Sequence, residues 1–369
     1  MNDWYHISNI SEVDSPALVV YPARVKENIE KLVSMIDDVE RLRPHVKTHK
    51  TKEAALLQME AGIKKFKCAT IAEAEMLGSI KAPDVLLAYQ PIGPKINRFI
   101  ALIKKYPKTK FSCLIDDREA AQALAAKASE AGISVPVFVD LNLGMHRTGI
   151  APGKYAIELY KFCSSLDGIK PVGLHGYDGH IRDQNFQERK KQCDRAFTMV
   201  EHLENELVKL GFAAPVIVIG GSPTFPIHAK RKDVECSPGT FIFWDGGYQQ
   251  GLTEQPFLPA ALVISRIISH PAENLFCADL GHKSIAAERD MDSRVHFLNA
   301  PDLKPVAQSE EHLVLQTNNV NSHKTGDVLY GLPFHICPTC ALYEKALIVE
   351  DGNVTGEWKI IARDRRIDI

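Results

Sequence analysis

Residues 42–50 read LRPHVKTHK, a short strand-like segment broken by Pro44 that runs into a basic turn. It follows a stretch in which Val25, Ile29, Leu32, Val33 and Ile36 recur at helical spacing, the mark of an amphipathic helix. Taken as a strand, LRPHVK is the first of eight. The others are KFKCAT (65–70), DVLLAY (84–89), FSCLID (111–116), PVFVDL (136–141), PVGLHG (171–176), VIVIGG (216–221) and VECSPG (234–239). Helical stretches such as AEAEMLGSI, REAAQALAAKASEAG and QERKKQCDRAFTMVEHLENELVKLG lie between them. Parallel strands need crossover helices and, being buried on both faces, read as near-continuous apolar runs. Eight such pairs are the pattern of an α/β fold with a closed, TIM-like (β/α)8 barrel. An open doubly wound sheet gives the same local signal, so closure rests on the count alone.

After Gly251 the rhythm changes. LPAALVISRIISH, ENLFCADLG, HLVLQT, DVLYGLP, ALIVEDGNV and EWKIIAR alternate with Gly, Pro, Asn and Asp and leave little room for helices. The expectation is a barrel over residues 1–250 and a second, mainly β C-terminal domain over 251–369, with residues 1–15 able to pack with the second domain. No repeat, low-complexity tract or flexible linker divides the two, so close packing is expected. The 369 residues carry a formal net charge of −2 and a pI near 6.7. Without a strong field of one sign, neither nucleic acid nor a membrane surface is an expected partner, and a small-molecule substrate is. The N-terminus lacks a basic segment followed by an apolar run, and no stretch is apolar for long enough to span a bilayer; a cytoplasmic protein is expected. Eight scattered cysteines form no disulfide framework and are expected to be reduced.

The basic run concentrates Arg43, His45, Lys47, His49 and Lys50. Crowded like charges disfavour a further proton, so a lysine here is expected to have a lowered pKa and to offer the neutral amine that Schiff-base chemistry needs. The alternative is a solvated basic turn. A barrel presents reactive groups at the carboxyl ends of its strands, where Lys47, Arg147, Tyr177, His180, Ser222 and Thr224 fall. Two small-residue turns, GGSPT (220–224) and SPGT (237–240), follow the last two strands, where barrels hold phosphates through backbone N–H groups and hydroxyls. Each alone is ordinary turn chemistry; together they point to a phosphorylated cofactor or substrate. Downstream, PFHICPTC in an extended conformation would project His335 and Cys337 to one side, close enough for an imidazole and a thiolate to share a divalent ion. Two protein ligands leave positions open for water or substrate. Cys337 and Cys340 also make a CxxC, readable as a redox pair or half of a structural zinc site, but Cys277, His312 and His323 lack a partner at zinc-site spacing.

Taken in order, SPALVVYPARVKENI, RPHVKTHK, VDLNLGMHRTG, GLHGYDGH, GGSPT, SPGTFIFWD, ADLGHKSIAAE, SEEH and GLPFHICPT resemble the motifs of the D-threonine aldolase and D-serine dehydratase family, pyridoxal-phosphate enzymes with the alanine-racemase type of fold. The resemblance covers nearly the whole chain. The lysine octapeptide together with the C-terminal His-x-Cys makes it specific. It implies that Lys47 carries pyridoxal 5'-phosphate, that Arg147 and Tyr177 line the cofactor ring, and that the two turns, with Gly221, Ser222, Thr224, Gly239 and Thr240, hold its phosphate. It also implies a divalent metal at His335 and Cys337, and a homodimer with shared active sites. A thiolate ligand suits zinc better than manganese.

The activity implied is that of a lyase on D-configured β-hydroxy amino acids. Retro-aldol cleavage of a D-threonine-like substrate to glycine and an aldehyde is the expected reaction, and zinc-assisted dehydration of D-serine is its sibling. His45, His49 and His180 are candidate bases for the hydroxyl proton; spacing singles out none, and each could instead orient a neighbour. Arg147 is also a candidate for the pyridine nitrogen. Two further readings compete. An amino-acid racemase would have no need of a metal for a β-hydroxyl, and a non-catalytic pyridoxal-phosphate-binding protein would have no need of the second domain.

Overall fold

The computed structural model describes residues 3–319 and 321–369. The chain divides into two compact units, each assembled from separated stretches. One takes Leu32–Lys47, Ala55–Gly239 and Asp364–Ile369; the other takes Met1–Lys31, Thr48–Ala54 and Thr240–Arg363. The first strand of the chain, β1 (Ala17–Val20), belongs to the latter. Among the described residues, no helix is long and apolar enough to cross a membrane.

In the other unit, β2 (Lys65–Cys68), β3 (Asp84–Leu87), β4 (Lys110–Ile115), β5 (Val135–Leu141), β6 (Ile169–Gly176), β7 (Val216–Ile219) and β8 (Val234–Cys236) form one all-parallel sheet in sequence order. That order requires crossovers, which the helices Ile71–Ser79, Pro94–Lys105, Arg118–Glu130, Lys154–Ser164 and Phe186–Lys209 provide. Short polar side chains start several of them: Thr70, Asp117 and Asn185 accept from the backbone N–H of Glu73, Ala120 and Gln187.

The eighth expected strand is present only as isolated bridges. Leu42 pairs with Cys236 and His45 with Lys67, both parallel, so the segment lies between β8 and β2 and closes the ring. Arg43 N–H donates to the Cys236 carbonyl and Val46 N–H to that of Lys67, each at 2.9 Å. Pro44 supplies no N–H, which is why the ladder does not run on as a strand. Leu86, Leu114, Phe138 and Val218 pack together as a buried core cluster. Toward the amino-terminal ends of the strands, buried Arg43 bonds both Glu235 and Asp84 at 2.6 Å, and Lys65 puts a second cation on Glu235.

The second unit is built on β9 (Ala261–Ala272), followed by β10 (Leu275–Ala278), β11 (Val295–Phe297), β12 (Lys304–Gln308), β13 (Leu313–Gln316), β14 (Val328–Pro333), β15 (Lys345–Glu350) and β16 (Asn353–Lys359). Its sheet runs β12-β13-β10-β9-β1-β15-β16, with β14 pairing β9 and β11. Val19 of β1 faces Leu262 on one side and Leu347 on the other, and Ile7, Val13, Tyr21, Ile264, Tyr330 and Leu332 pack in the same core. Asp351 and Gly352, at φ of 49° and 72°, make the two-residue turn that joins β15 to β16.

The segment PFHICPTC departs from the extended conformation expected of it. β14 ends at Pro333, and Ile336–Leu342 is a short helix with His335 at its N-cap. The buried carboxylate of Asp245 accepts the otherwise orphan N–H of Ile336 at 3.1 Å, and Pro338 falls in the first turn, where no N–H is required.

Candidate active site

At the carboxyl ends of the barrel strands a cavity of about 590 Å³ is lined by His45, Lys47, Lys67, Arg147, His175 and Tyr177, among others. Tyr177 is its centre. Lys47 Nζ, Lys67 Nζ and the Arg147 guanidinium lie 5.6, 5.8 and 5.0 Å from the centre of its ring, within cation–π range. Glycines make room for that ring: an added Cβ on Gly179 would meet the Tyr177 hydroxyl at 2.0 Å, and one on Gly221 would meet the ring at 3.0 Å.

The carboxylates close to these cations are already engaged. Asp140 bonds His175 Nδ1 at 2.7 Å, and Asp178 takes the Thr224 hydroxyl at 2.7 Å and His228 Nε2 at 2.8 Å. Three basic groups whose neighbouring carboxylates are already bonded, two of them primary amines, fit a phosphorylated aldehyde such as pyridoxal phosphate. Burial, followed by the charge of Lys47, lowers Lys67 to about 7. His175 is likewise lowered by burial, although its bond to Asp140 opposes this.

The two small-residue turns come together. Gly239 N–H donates to Ser222 Oγ at 3.2 Å, and Thr224 Oγ1 accepts from Gly221 N–H at 3.3 Å while it donates to Asp178. Asp178, Cys193 and His228 are the one group of three, among the described residues, close enough to hold a metal. Arg231 Nε donates to His228 Nδ1 at 3.3 Å, which leaves the proton on Nε2 pointing at Asp178. With a guanidinium on that side, the group acts as a hydrogen-bonded brace behind Thr224.

The three candidate bases separate. His45 stands on the cavity wall, its Nδ1 accepting from Lys47 N–H at 3.2 Å. His180 is exposed and packs on Gly144, outside that lining; an added Cβ there would meet its Nε2 at 2.8 Å. His49 belongs to the second unit, buried beside Phe243, and burial holds it down to about 3.

In the second unit His335 and Cys337 are hydrogen-bonded to each other, and Glu288 binds His335 Nδ1. Thr48 Oγ1 lies 3.1 Å from Cys337 Sγ, and Thr240 Oγ1 lies 3.8 Å from it. Burial depresses His335, but the bonds to Cys337 and Glu288 and the charge of Asp245 outweigh it and raise the imidazole to about 9. Asp245 is itself raised to about 6 by burial, against its bonds from Tyr248 and Ile336 N–H. A thiol and an imidazole in contact, the latter held through Nδ1 by a carboxylate, are a donor set that fits a thiophilic divalent ion.

Sequence reasoning missed Lys67, the His175–Asp140 pair, Glu288 and Asp245. A lysine inside the apolar run KFKCAT was the available signal for the first. Glu288 ends the motif ADLGHKSIAAE, but its partner lies 47 residues away.

Comparison with known proteins agrees with this architecture. Residues 20–245 match the family described as "Alanine racemase, N-terminal domain", and residues 260–349 match "Putative serine dehydratase domain". The D-threonine aldolase of Arthrobacter sp is 27% identical over 96% of this chain and 94% of its own length. The 3-hydroxy-D-aspartate aldolase of Paracoccus denitrificans is 25% identical over 96% and 93%. The solved D-threonine aldolase of Filomicrobium marinum superposes with a TM-score of 0.88 over 96% of both chains at 24% identity. The first match spans more than half of the chain and contains every barrel strand, so the chain belongs to the alanine racemase N-terminal domain family.

Proposed function

We propose that this protein is a pyridoxal-phosphate- and divalent-metal-dependent lyase that cleaves D-threonine-like β-hydroxy amino acids to glycine and an aldehyde. The observation that carries the reading is the cluster of Lys47, Lys67 and Arg147 around Tyr177 in a cavity whose nearby carboxylates are already bonded. The cofactor, when bound, supplies an electron sink for the bond broken at the substrate's Cα. Lys47 supplies the amine that holds it, Tyr177 and Arg147 position its ring, and the turns with Gly221, Ser222, Thr224, Gly239 and Thr240 take its phosphate. His335 and Cys337 would hold the metal, which would supply Lewis acidity to a bound hydroxyl. Zinc suits the thiolate better than manganese. Of the three candidate bases only His45 lines the cavity; its Nδ1 accepts from Lys47 N–H, so the neutral ring carries its proton on Nε2 and has to shift that proton before it can take the hydroxyl's.

Support for the substrate class comes from the D-threonine and 3-hydroxy-D-aspartate aldolases that resemble the whole chain. The zinc-assisted D-serine dehydratase is the second reading, favoured by Cys337 and by the second family match. A product assay decides. The protein with pyridoxal phosphate and zinc or manganese receives D-threonine or D-serine, and glycine, aldehyde, keto acid and ammonia are measured. Glycine with acetaldehyde is expected; ammonia with a keto acid and no glycine establishes the dehydratase. K47A is expected to lose the visible absorbance of lysine-bound pyridoxal and to reduce turnover by roughly a thousandfold or more. The relatives' family resemblance also makes a homodimer part of the proposal, to be checked by light scattering.

A further inference from the structure

Lys67 takes no part in the chemistry above, yet it is a lysine with only 2% of its surface exposed on the wall of the same cavity. A buried ammonium is costly unless an anion faces it. The groups around it can be named from each neighbouring element. Lys47 and Arg43, on the bridging segment, are like charges. Asp140 on β5 and Asp178 after β6 are carboxylates, the first committed to His175 and the second to Thr224 and His228. His175 on β6 places Nε2 at 3.4 Å from Lys67 Nζ; because its Nδ1–H faces Asp140, that Nε2 carries a lone pair. Tyr177 offers only its ring, which Lys47 and Arg147 share. Burial and the charges of Lys47 and Arg43 therefore work against its proton, while the His175 lone pair and the two committed carboxylates favour it, and the balance leaves Lys67 near the point of losing that proton at about 7. An anion arriving in the cavity reverses that balance.

We propose that Lys67 is a charge-coupled anchor for the anionic cofactor, giving up its proton in the cofactor-free protein and recovering it when the phosphorylated ring binds, so that loading takes up one proton. The proton comes from solvent and ends on Lys67 Nζ; no other bond forms or breaks. The inference rests on the pyridoxal-phosphate reading. A group that holds its proton more tightly in the complex than in the free protein makes binding weaken as pH rises above its free-state pKa. Affinity should therefore be highest below about pH 7, and the Kd should rise by up to about tenfold per pH unit above it.

The test titrates pyridoxal phosphate into cofactor-free wild type, K67Q and K67R across about two pH units above neutrality. The Kd is read from the visible band, and proton uptake from calorimetry in two buffers of different ionisation enthalpy. Wild type is expected to take up one more proton than either variant. K67R, whose guanidinium stays charged, should lose that extra pH dependence while binding tightly throughout. K67Q should lose it while binding about tenfold or more weakly near neutrality. Either variant that folds is sufficient, because both predict loss of the same proton. Equal slopes and equal proton counts in wild type and variant overturn the proposal. No visible band and no binding by wild type at any pH would overturn the cofactor reading, and the anchor with it.

Discussion

The Tyr177 ring lies where a side chain on Gly179 would be, with 2.0 Å between its hydroxyl and an added Cβ. G179A must push either the ring or the loop after β6, and overpacking of that kind costs about 1–3 kcal/mol. Urea denaturation should show that loss, together with weaker pyridoxal-phosphate binding because Lys47, Lys67 and Arg147 lose their common neighbour. Unchanged values in both would mean that the ring moves aside freely. His49 makes a different kind of prediction. Burial holds it down to about 3 from an ordinary 6.5, so the unfolded chain takes the proton first as pH falls. Its contribution to stability is complete above about pH 6.5 and is lost progressively toward about 3, at up to about 1.4 kcal/mol per pH unit. H49Q should flatten the urea midpoint against pH over that window by one proton; an unaltered slope would show that His49 is already charged in the fold.

At the scale of the element, the bridging segment Leu42–Val46 completes the ring without forming a regular strand, and Arg43 compensates for the ladder bonds that Pro44 cannot make. Its guanidinium joins β8 through Glu235 and β3 through Asp84, with 3% of its side chain exposed. R43L would leave Asp84 without its short ion pair and Glu235 with Lys65 alone. Breaking a buried pair on one side costs about 3–5 kcal/mol. Chemical denaturation should register a loss of that order, and Lys47, four residues on, should bind cofactor less tightly as the segment loosens. A loss below about 1 kcal/mol would show that the backbone bonds to Cys236 and Lys67 hold the segment alone.

Over the whole molecule, the barrel was legible because its strands are buried on both faces and its helices announce themselves by apolar spacing. The candidate site was legible only as residues that stand close in sequence, such as Lys47 on the cavity wall and the two turns that meet at Ser222 and Gly239. It was not legible where a partner arrives from a distant strand: Lys67 meets His175 108 residues on, and burial rather than neighbouring sequence brings its pKa down. The basic octapeptide also reads as one cluster of charge, whereas the chain passes from one unit to the other between Lys47 and Thr48. That division bears on how the protein can be cut. A fragment of residues 1–250 keeps β1 but removes β9 and β15, the strands that pair with both of its edges. Leu18, Val19 and Val20, all buried, would be left on an apolar strand with two open edges, and Ile7, Val13 and Tyr21 would lose Leu262, Ile264, Tyr330 and Leu332. Such a strand pairs with whatever chain it meets. The fragment should aggregate in size-exclusion chromatography, and replacing Val19 by Lys should reduce that aggregation even though the same change would damage the intact protein. A monodisperse fragment with protected amides over 17–20 would show that β1 finds another partner within the barrel stretch.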